Sequence, residues 1–289
     1  MITRLRHWGG LVAFSHTIFA MPFAASAVAL ALGQPEARLG PWRALAMVLC
    51  MVTARTSAMA FNRWADRDVD AKNPRTKTRH VPAGHVSPRE ALLLAAGSGL
   101  AFLALAATLG FWPGVLAPLV LVVLLGYSLA KRFTSAAHAW LGVALALAPG
   151  GAWVACGARP GLGVLLLMAA VATWLLGFDV LYSLQDRDFD ERHGLHSIPV
   201  RFGVTGSLVI SALAHVVTAA CLGGVGLALH RGPAYFVGVA IVSALLVWEH
   251  ALVGKGDLSK IDKAFFDLNA WVSMAFFGCT VVDAVLRAR

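Results

Sequence analysis

The chain has 289 residues, 58% of them hydrophobic and only 13% charged, whereas an ordinary soluble domain is about 25% charged. This composition excludes a soluble globular enzyme, and the apolar runs leave no stretch over for a separate soluble domain, so residues 1–289 read as a single integral-membrane domain. The formal charge of +9 does not call for nucleic acid, because loop charges that set membrane topology and attract anionic lipid account for it.

A helix needs about 20 apolar residues to cross ~30 Å of hydrocarbon at ~1.5 Å per residue. Such runs lie near 11–32, 43–61, 90–110, 113–130, 138–156, 161–182, 205–229, 233–253 and 266–286. The pattern predicts an all-α, multi-pass bundle of nine transmembrane helices. With the N-terminus in the cytoplasm, 17 of the 24 Lys and Arg residues fall in cytoplasmic segments and six on the other side, while Arg55 lies inside a span. The positive-inside rule then places the loops after the even-numbered spans in the cytoplasm and the protein in the cell's inner (cytoplasmic) membrane. Arg4 and Arg6 before an apolar run containing Ala25-Ser26-Ala27 resemble a signal peptide. That run is longer than a usual signal core and eight spans follow it, so it reads as a retained first helix. Cys50, Cys156, Cys221 and Cys279 sit in apolar spans without metal-ligand spacing and read as small core residues.

The first span carries His16, expected to be a packing residue, and Pro22, expected to kink the helix. Trp8 and Trp42 sit near span ends, where amphipathic rings favour the interface. The second span ends in polar chemistry: Arg55, Asn62, Asp66 and Asp70 are spaced 7, 4 and 4 apart and share one helical stripe, with Asp68 pointing elsewhere. An arginine at membrane depth costs ~2.5–3.5 kcal/mol unless a partner or aqueous cavity receives it, so Arg55 should face an internal cavity. Pro74 then ends the helix, and the polar segment Ala71 to Arg89 brings Arg75, Lys77 and Arg79 beside the carboxylates. Ser87-Pro88-Arg89-Glu90 has the form of a helix start with a capping box.

The third and fourth spans build the bundle, and the fourth exits into Lys131-Arg132 on the same face. In the fifth, Pro149-Gly150-Gly151 implies a bend or a close helix contact. The sixth ends with Asp179, Tyr182, Asp186 and Asp190, spaced 3, 4 and 4, a second stripe like the first. Glu191 to Gly203, mixing polar and apolar residues, reads as a loop that could cover a site. His215, Glu249, His250 and Asp283 in the last three spans receive no role, and Gly254 to Asp262 reads as a solvated connector.

Asp-Arg-Asp-x-Asp occurs at 66–70 and again at 186–190, an offset of 120 residues, and these two pentads hold six of the 15 acidic residues. The repeat implies a duplication in which spans one to four correspond to five to eight, two four-helix pseudo-repeats plus one helix, bringing the pentads together. Four facing carboxylates require cations or raised pKa values. All-oxygen ligands beside a phosphate favour Mg²⁺, and Arg75, Arg79, Lys131 and Arg132 suit a diphosphate. Metal ions would make that diphosphate a better leaving group; in an apolar bundle its other half is a lipid, which ionises to an allylic carbocation able to alkylate an electron-rich acceptor.

These residues resemble, over essentially the whole length, the UbiA family of membrane-embedded aromatic prenyltransferases. The family's Asn-Asp-x-x-Asp-x-x-x-Asp motif is matched by Asn62, Asp66 and Asp70, and its Asp-x-x-x-Asp motif, preceded by Tyr-x-x-x, by Tyr182, Asp186 and Asp190, with Asp179 upstream. Arg55, Arg75-Thr76, Arg79, Pro82, Gly84, Lys131-Arg132, Ser197 and Phe202-Gly203 extend the similarity. Arg63 stands where the family has aspartate, and His80 where it commonly has proline. The resemblance implies nine helices around a central cavity open to lipid and capped on the cytoplasmic side. It implies that Asp66, Asp70, Asp186 and Asp190 hold Mg²⁺ and the diphosphate of a polyprenyl donor, aided by Asn62. It gives Arg55 to an acidic aromatic acceptor, with no obligate protein partner. Asn-Arg-x-x-Asp-Arg and Gln185-Asp186 through Gly194-Leu195-His196-Ser197-Ile198-Pro199 look most like the 4-hydroxybenzoate branch of ubiquinone biosynthesis. They also resemble enzymes of the futalosine menaquinone route, which prenylate a dihydroxynaphthoate. Two readings from other classes compete. A divalent-cation transporter would spread polar residues along the membrane depth, whereas these cluster at one face. A phosphoalcohol transferase would need an Asp-Gly-x-x-Ala-Arg lead, which precedes neither pentad.

Overall fold

A computed structural model describes Leu11, residues 17–253 and residues 261–288. His16, the termini carrying Arg4, Arg6 and Trp8, and the connector through Lys260 lie outside the described residues. Within them the chain is helical and contains no strand: α1 (Thr17–Ala31), α2 (Pro41–Ala65), α3 (Arg67–Asp70), α4 (Pro88–Thr108), α5 (Phe111–Ala130), α6 (Ala137–Ala155), α7 (Leu162–Ser183), a 3₁₀ turn (Leu184–Asp186), α8 (Arg187–Arg192), α9 (Ile198–Ala228), α10 (Pro233–Val253) and α11 (Ile261–Arg287). Eight of the described helices are long and apolar enough to cross a membrane. The first predicted span is described only as Leu11 and the 15 residues of α1, with Pro22 inside it. Large apolar side chains stand outward on these helices, Leu93 at 72%, Val122 at 66% and Val247 at 70% exposure; hydrocarbon is the solvent that tolerates this at such density.

The described residues form two compact units. In the unit built on Gly40–Ala130, α2 lies close to α4 because the contact residues are small. Ser57 donates from its hydroxyl to the Ala95 carbonyl at 2.8 Å, beside Gly99. The polar segment after α3 is a chain of turns that buries Val81 and Val86 with Leu11, Ala60, Ala91 and Ala95. It ends in the expected capping box: the Ser87 hydroxyl accepts from the Glu90 amide and the Glu90 carboxylate accepts from the Ser87 amide.

The second unit comprises Ile18–Leu39 and residues 131 onward, with α7 at its centre, packed on α6 and α9. A Cβ at Gly142 would collide with the Ala172 carbonyl oxygen, so glycine there is what lets α6 and α7 approach. Phe23 of α1 packs 5.0 Å from Trp174 and 5.3 Å from Phe276. Polar atoms at this depth need protein partners, since lipid supplies none. The Trp174 indole donates to Asn269 at 2.8 Å, the Asn269 amide donates to Glu249 at 2.9 Å, and His215 lies 3.0 Å from His250. All four cysteines are free thiols.

The segment after the second pentad differs from its expected loop. Ser197 caps a helix, its hydroxyl accepting from the Val200 amide, and α9 starts at Ile198 with Pro199 in its first turn. Gly203, at φ 68° and ψ −174°, breaks that helix in a region costly for any residue with a Cβ. The stretch expected to be a loop is therefore residues 193–197 plus one helical turn.

Candidate active site

Both pentads begin at the same backbone break. α2 stops at Ala65, Asp66 takes φ −91° and ψ 3°, and α3 restarts at Arg67. α7 tightens into the 3₁₀ turn, Asp186 takes φ −96° and ψ −2°, and α8 restarts at Arg187. The single continuous stripe expected from spacing is thus two helical pieces in each repeat. Burial sorts the side chains: Asp70, Asp186 and Asp190 are buried, Asp66 is half-buried, and Asp68 and Asp188 are exposed. Asp68 pairs with its neighbour Arg67 at 3.4 Å.

In the first repeat the Asn62 side-chain amide donates to Asp66 Oδ2 at 2.8 Å, fixing that carboxylate from one turn below, and Arg63 Nη1 donates to Asn62 Oδ1 at 3.5 Å. Arg79 Nη1 donates to Asp70 Oδ1 at 2.7 Å. The buried Thr76 hydroxyl donates to the Asp70 carbonyl, and Asn73 Oδ1 accepts from the Arg75 amide at 2.9 Å. These bonds fold the basic turn back onto the acidic helix end. Arg75 itself is exposed. Arg55 is half-buried in α2, seven residues before Asn62, or about 10 Å along the axis.

In the second repeat Lys131 Nζ lies 3.6 Å from Asp190 Oδ2, an ion pair too long for a hydrogen bond. The segment after α8 is tied to the same loop, with the His196 amide donating to the Lys131 carbonyl at 2.8 Å and Arg201 donating to Ser135 at 3.3 Å. Arg132 is exposed on the Lys131 loop. Tyr182 stacks on Phe178 at 6.1 Å. Asp179 meets a residue given no role from sequence: His138 Nδ1 of α6 lies 2.6 Å from Asp179 Oδ2. Nothing in the spacing of either span announces that pair. Asn73 and Arg63 are further polar members of the first repeat; the Asn73-Pro74 turn was a readable signal for the former.

Each acidic pentad thus carries one buried carboxylate oxygen, Asp70 Oδ2 and Asp190 Oδ2, that accepts no hydrogen bond from the described residues; away from the pentads, Glu249 Oε2 and Asp283 Oδ2 are in the same condition. A buried anion's oxygen calls for a cation or a donor. No cluster of three or more His, Cys, Asp or Glu converges among the described residues, so a closed protein cage of the zinc or calcium kind is not built. Mg²⁺ asks for less, one or two carboxylates with waters and phosphate oxygens completing its shell, and the residues present fit it.

A family model described as the UbiA prenyltransferase family matches residues 19–274. The 4-hydroxybenzoate octaprenyltransferase of Aromatoleum aromaticum is 33% identical over 235 residues, 81% of this chain and 79% of that protein. Among solved structures, the apo UbiA homologue from Aeropyrum pernix K1 aligns with a TM-score of 0.84 at 34% identity, covering 93% of this chain and 98% of that one. A UbiA homologue from Archaeoglobus fulgidus bound to GPP and Mg²⁺ shares the fold, with a TM-score of 0.67 at 20% identity over 96% of this chain and 99% of that one.

Proposed function

Because this chain belongs to the UbiA prenyltransferase family, we propose that it moves a polyprenyl group from polyprenyl diphosphate to 4-hydroxybenzoate or a similar hydroxyaryl carboxylate, releasing diphosphate for quinone biosynthesis. The observation that carries the site assignment is the repeated acidic motif, with the same break at Asp66 and Asp186 and a buried, unbonded oxygen on Asp70 and Asp190. Residues 1–289 act as one nine-helix prenyltransferase domain in the inner membrane, with both acidic ends cytoplasmic.

Asp66 and Asp70, and likewise Asp186 and Asp190, are assigned to Mg²⁺ and the donor's diphosphate, with Asn62 orienting Asp66. Bound Mg²⁺ supplies charge neutralisation that makes diphosphate a better leaving group. Arg75, Arg79, Lys131 and Arg132 donate hydrogen bonds to the oxygens that gain charge as the allylic C–O bond breaks. The apolar helices keep water from the cation that results. Arg55 offers a planar two-pronged donor to the acceptor's carboxylate, and Asp179 and Tyr182 belong to the acceptor side.

Purified protein given Mg²⁺, polyprenyl diphosphate and 4-hydroxybenzoate should release diphosphate and form the prenylated acid, and Asp66→Ala or Asp186→Ala should abolish both. Undiminished turnover in excess chelator would overturn the mechanism. Dihydroxynaphthoate run in parallel identifies the preferred acceptor.

A further inference from the structure

We propose that His138 is a positioning residue that holds Asp179 as the base taking up the acceptor's ring proton. The inference rests on the prenyl-transfer reading above. The imidazole is fully buried, Asp179 keeps 22% of its side chain accessible, and the two meet at 2.6 Å. An accessible carboxylate is thus backed by a sequestered histidine. His138 Nε2 is buried without a hydrogen-bond partner among the described residues. An imidazole carrying its proton on Nδ1 donates to Asp179 and leaves only a lone pair buried at Nε2; the opposite arrangement buries an unsatisfied N–H.

The helix packing explains why these residues meet. α6 and α7 pair with Gly142 against Ala172 and Gly150 against Met168, an antiparallel register that carries on to His138 against Asp179. The close approach at Gly142 is therefore a condition for the contact. Asp179 precedes Asp186 by seven residues, about 10 Å along the chain's helical path. That distance suits an acceptor ring held beyond a diphosphate bound at Asp186 and Asp190.

The chemistry requires a base at such a place. In 4-hydroxybenzoate the carbon para to the phenol bears the carboxylate, so alkylation falls on the ortho carbon. The allylic C–O bond breaks with its electron pair leaving on diphosphate, and the ring's π electrons form the new C–C bond. The C–H electron pair then returns to the ring while its proton passes to the Asp179 carboxylate. His138, hydrogen-bonded to Oδ2, keeps the carboxylate in one rotamer for that step.

The test compares wild type, His138→Leu, His138→Asn and Asp179→Asn with 4-hydroxybenzoate and its ring-3,5-dideuterated form. Asparagine keeps a donor near the Nδ1 position. Expected are a fall in kcat of about tenfold or more for His138→Leu and Asp179→Asn, with KM for the diphosphate donor unchanged. A deuterium isotope effect near unity in wild type should rise to about 2 or more in both as proton removal becomes slow. His138→Asn should regain most of the rate and the low isotope effect. Should His138→Leu fail to fold, His138→Asn and Asp179→Asn still decide the matter. Wild-type turnover with unchanged rates and isotope effects in the folded variants overturns the proposal alone. A wild type that makes no prenylated acid overturns the functional reading and this proposal together.

Discussion

Burial, more than charge, distinguishes the aspartates within each pentad. The exposed pair, Asp68 and Asp188, repeats as faithfully in sequence as the buried pair, Asp70 and Asp190. Asp68→Asn and Asp188→Asn should therefore leave diphosphate release within about twofold of wild type, while Asp70→Asn and Asp190→Asn should lower it by about 100-fold or more, measured at saturating donor. The two-residue offset of Asp68 and Asp188 made this division readable, since a helix turns side chains two apart to opposite sides. The break at Asp66 and Asp186 was not readable, because nothing in Asp-Arg-Asp-x-Asp disfavours a continuous helix. Arg79 was read as a ligand for diphosphate; in the structure it donates to Asp70, a pairing that brings its positive charge to the same place by way of the carboxylate. His138–Asp179 could not be read at all, since 41 residues separate the partners and only helix register joins them.

At the scale of elements, local signals were legible and contacts between helices were not. Ser87-Pro88-x-Glu90 specified a helix start within four residues, and the box formed as written. Ser197-Ile198-Pro199 carried a similar signal, yet the mixed polarity of 191–203 hid the helical turn that Gly203 then interrupts. The α6–α7 contact depends on the absent side chain at Gly142, which a hydropathy pattern cannot show. Gly142→Ala should force the helices apart by a few tenths of an ångström or more, lower the melting temperature in detergent and reduce turnover. Gly151→Ala, with open space around its Cβ position, should change neither by a comparable amount.

For the whole molecule, composition alone identified a membrane protein, and eight of the described helices are long enough to span a bilayer. The acidic repeat points to the family because its spacing stands out in a chain otherwise made mostly of apolar residues. The same motif has a consequence for thermal stability. Asp70 and Asp190 each pair with one basic side chain, Arg79 and Lys131, yet each keeps a buried oxygen without a hydrogen bond, an incompletely satisfied anion that further cations would stabilise. Occupancy should therefore be visible as heat resistance. Mg²⁺ with an unreactive polyprenyl diphosphate analogue at about 100 times its Kd should add about 2.7 kcal/mol, read as a rise in the unfolding temperature that chelator reverses. Asp70→Asn and Asp190→Asn, which lose the pairing carboxylate of Arg79 and of Lys131, should gain less than wild type when the ligand is added. If so, this enzyme sacrifices resting durability for catalytic readiness, and its lifetime in the membrane will depend on the supply of its own substrate.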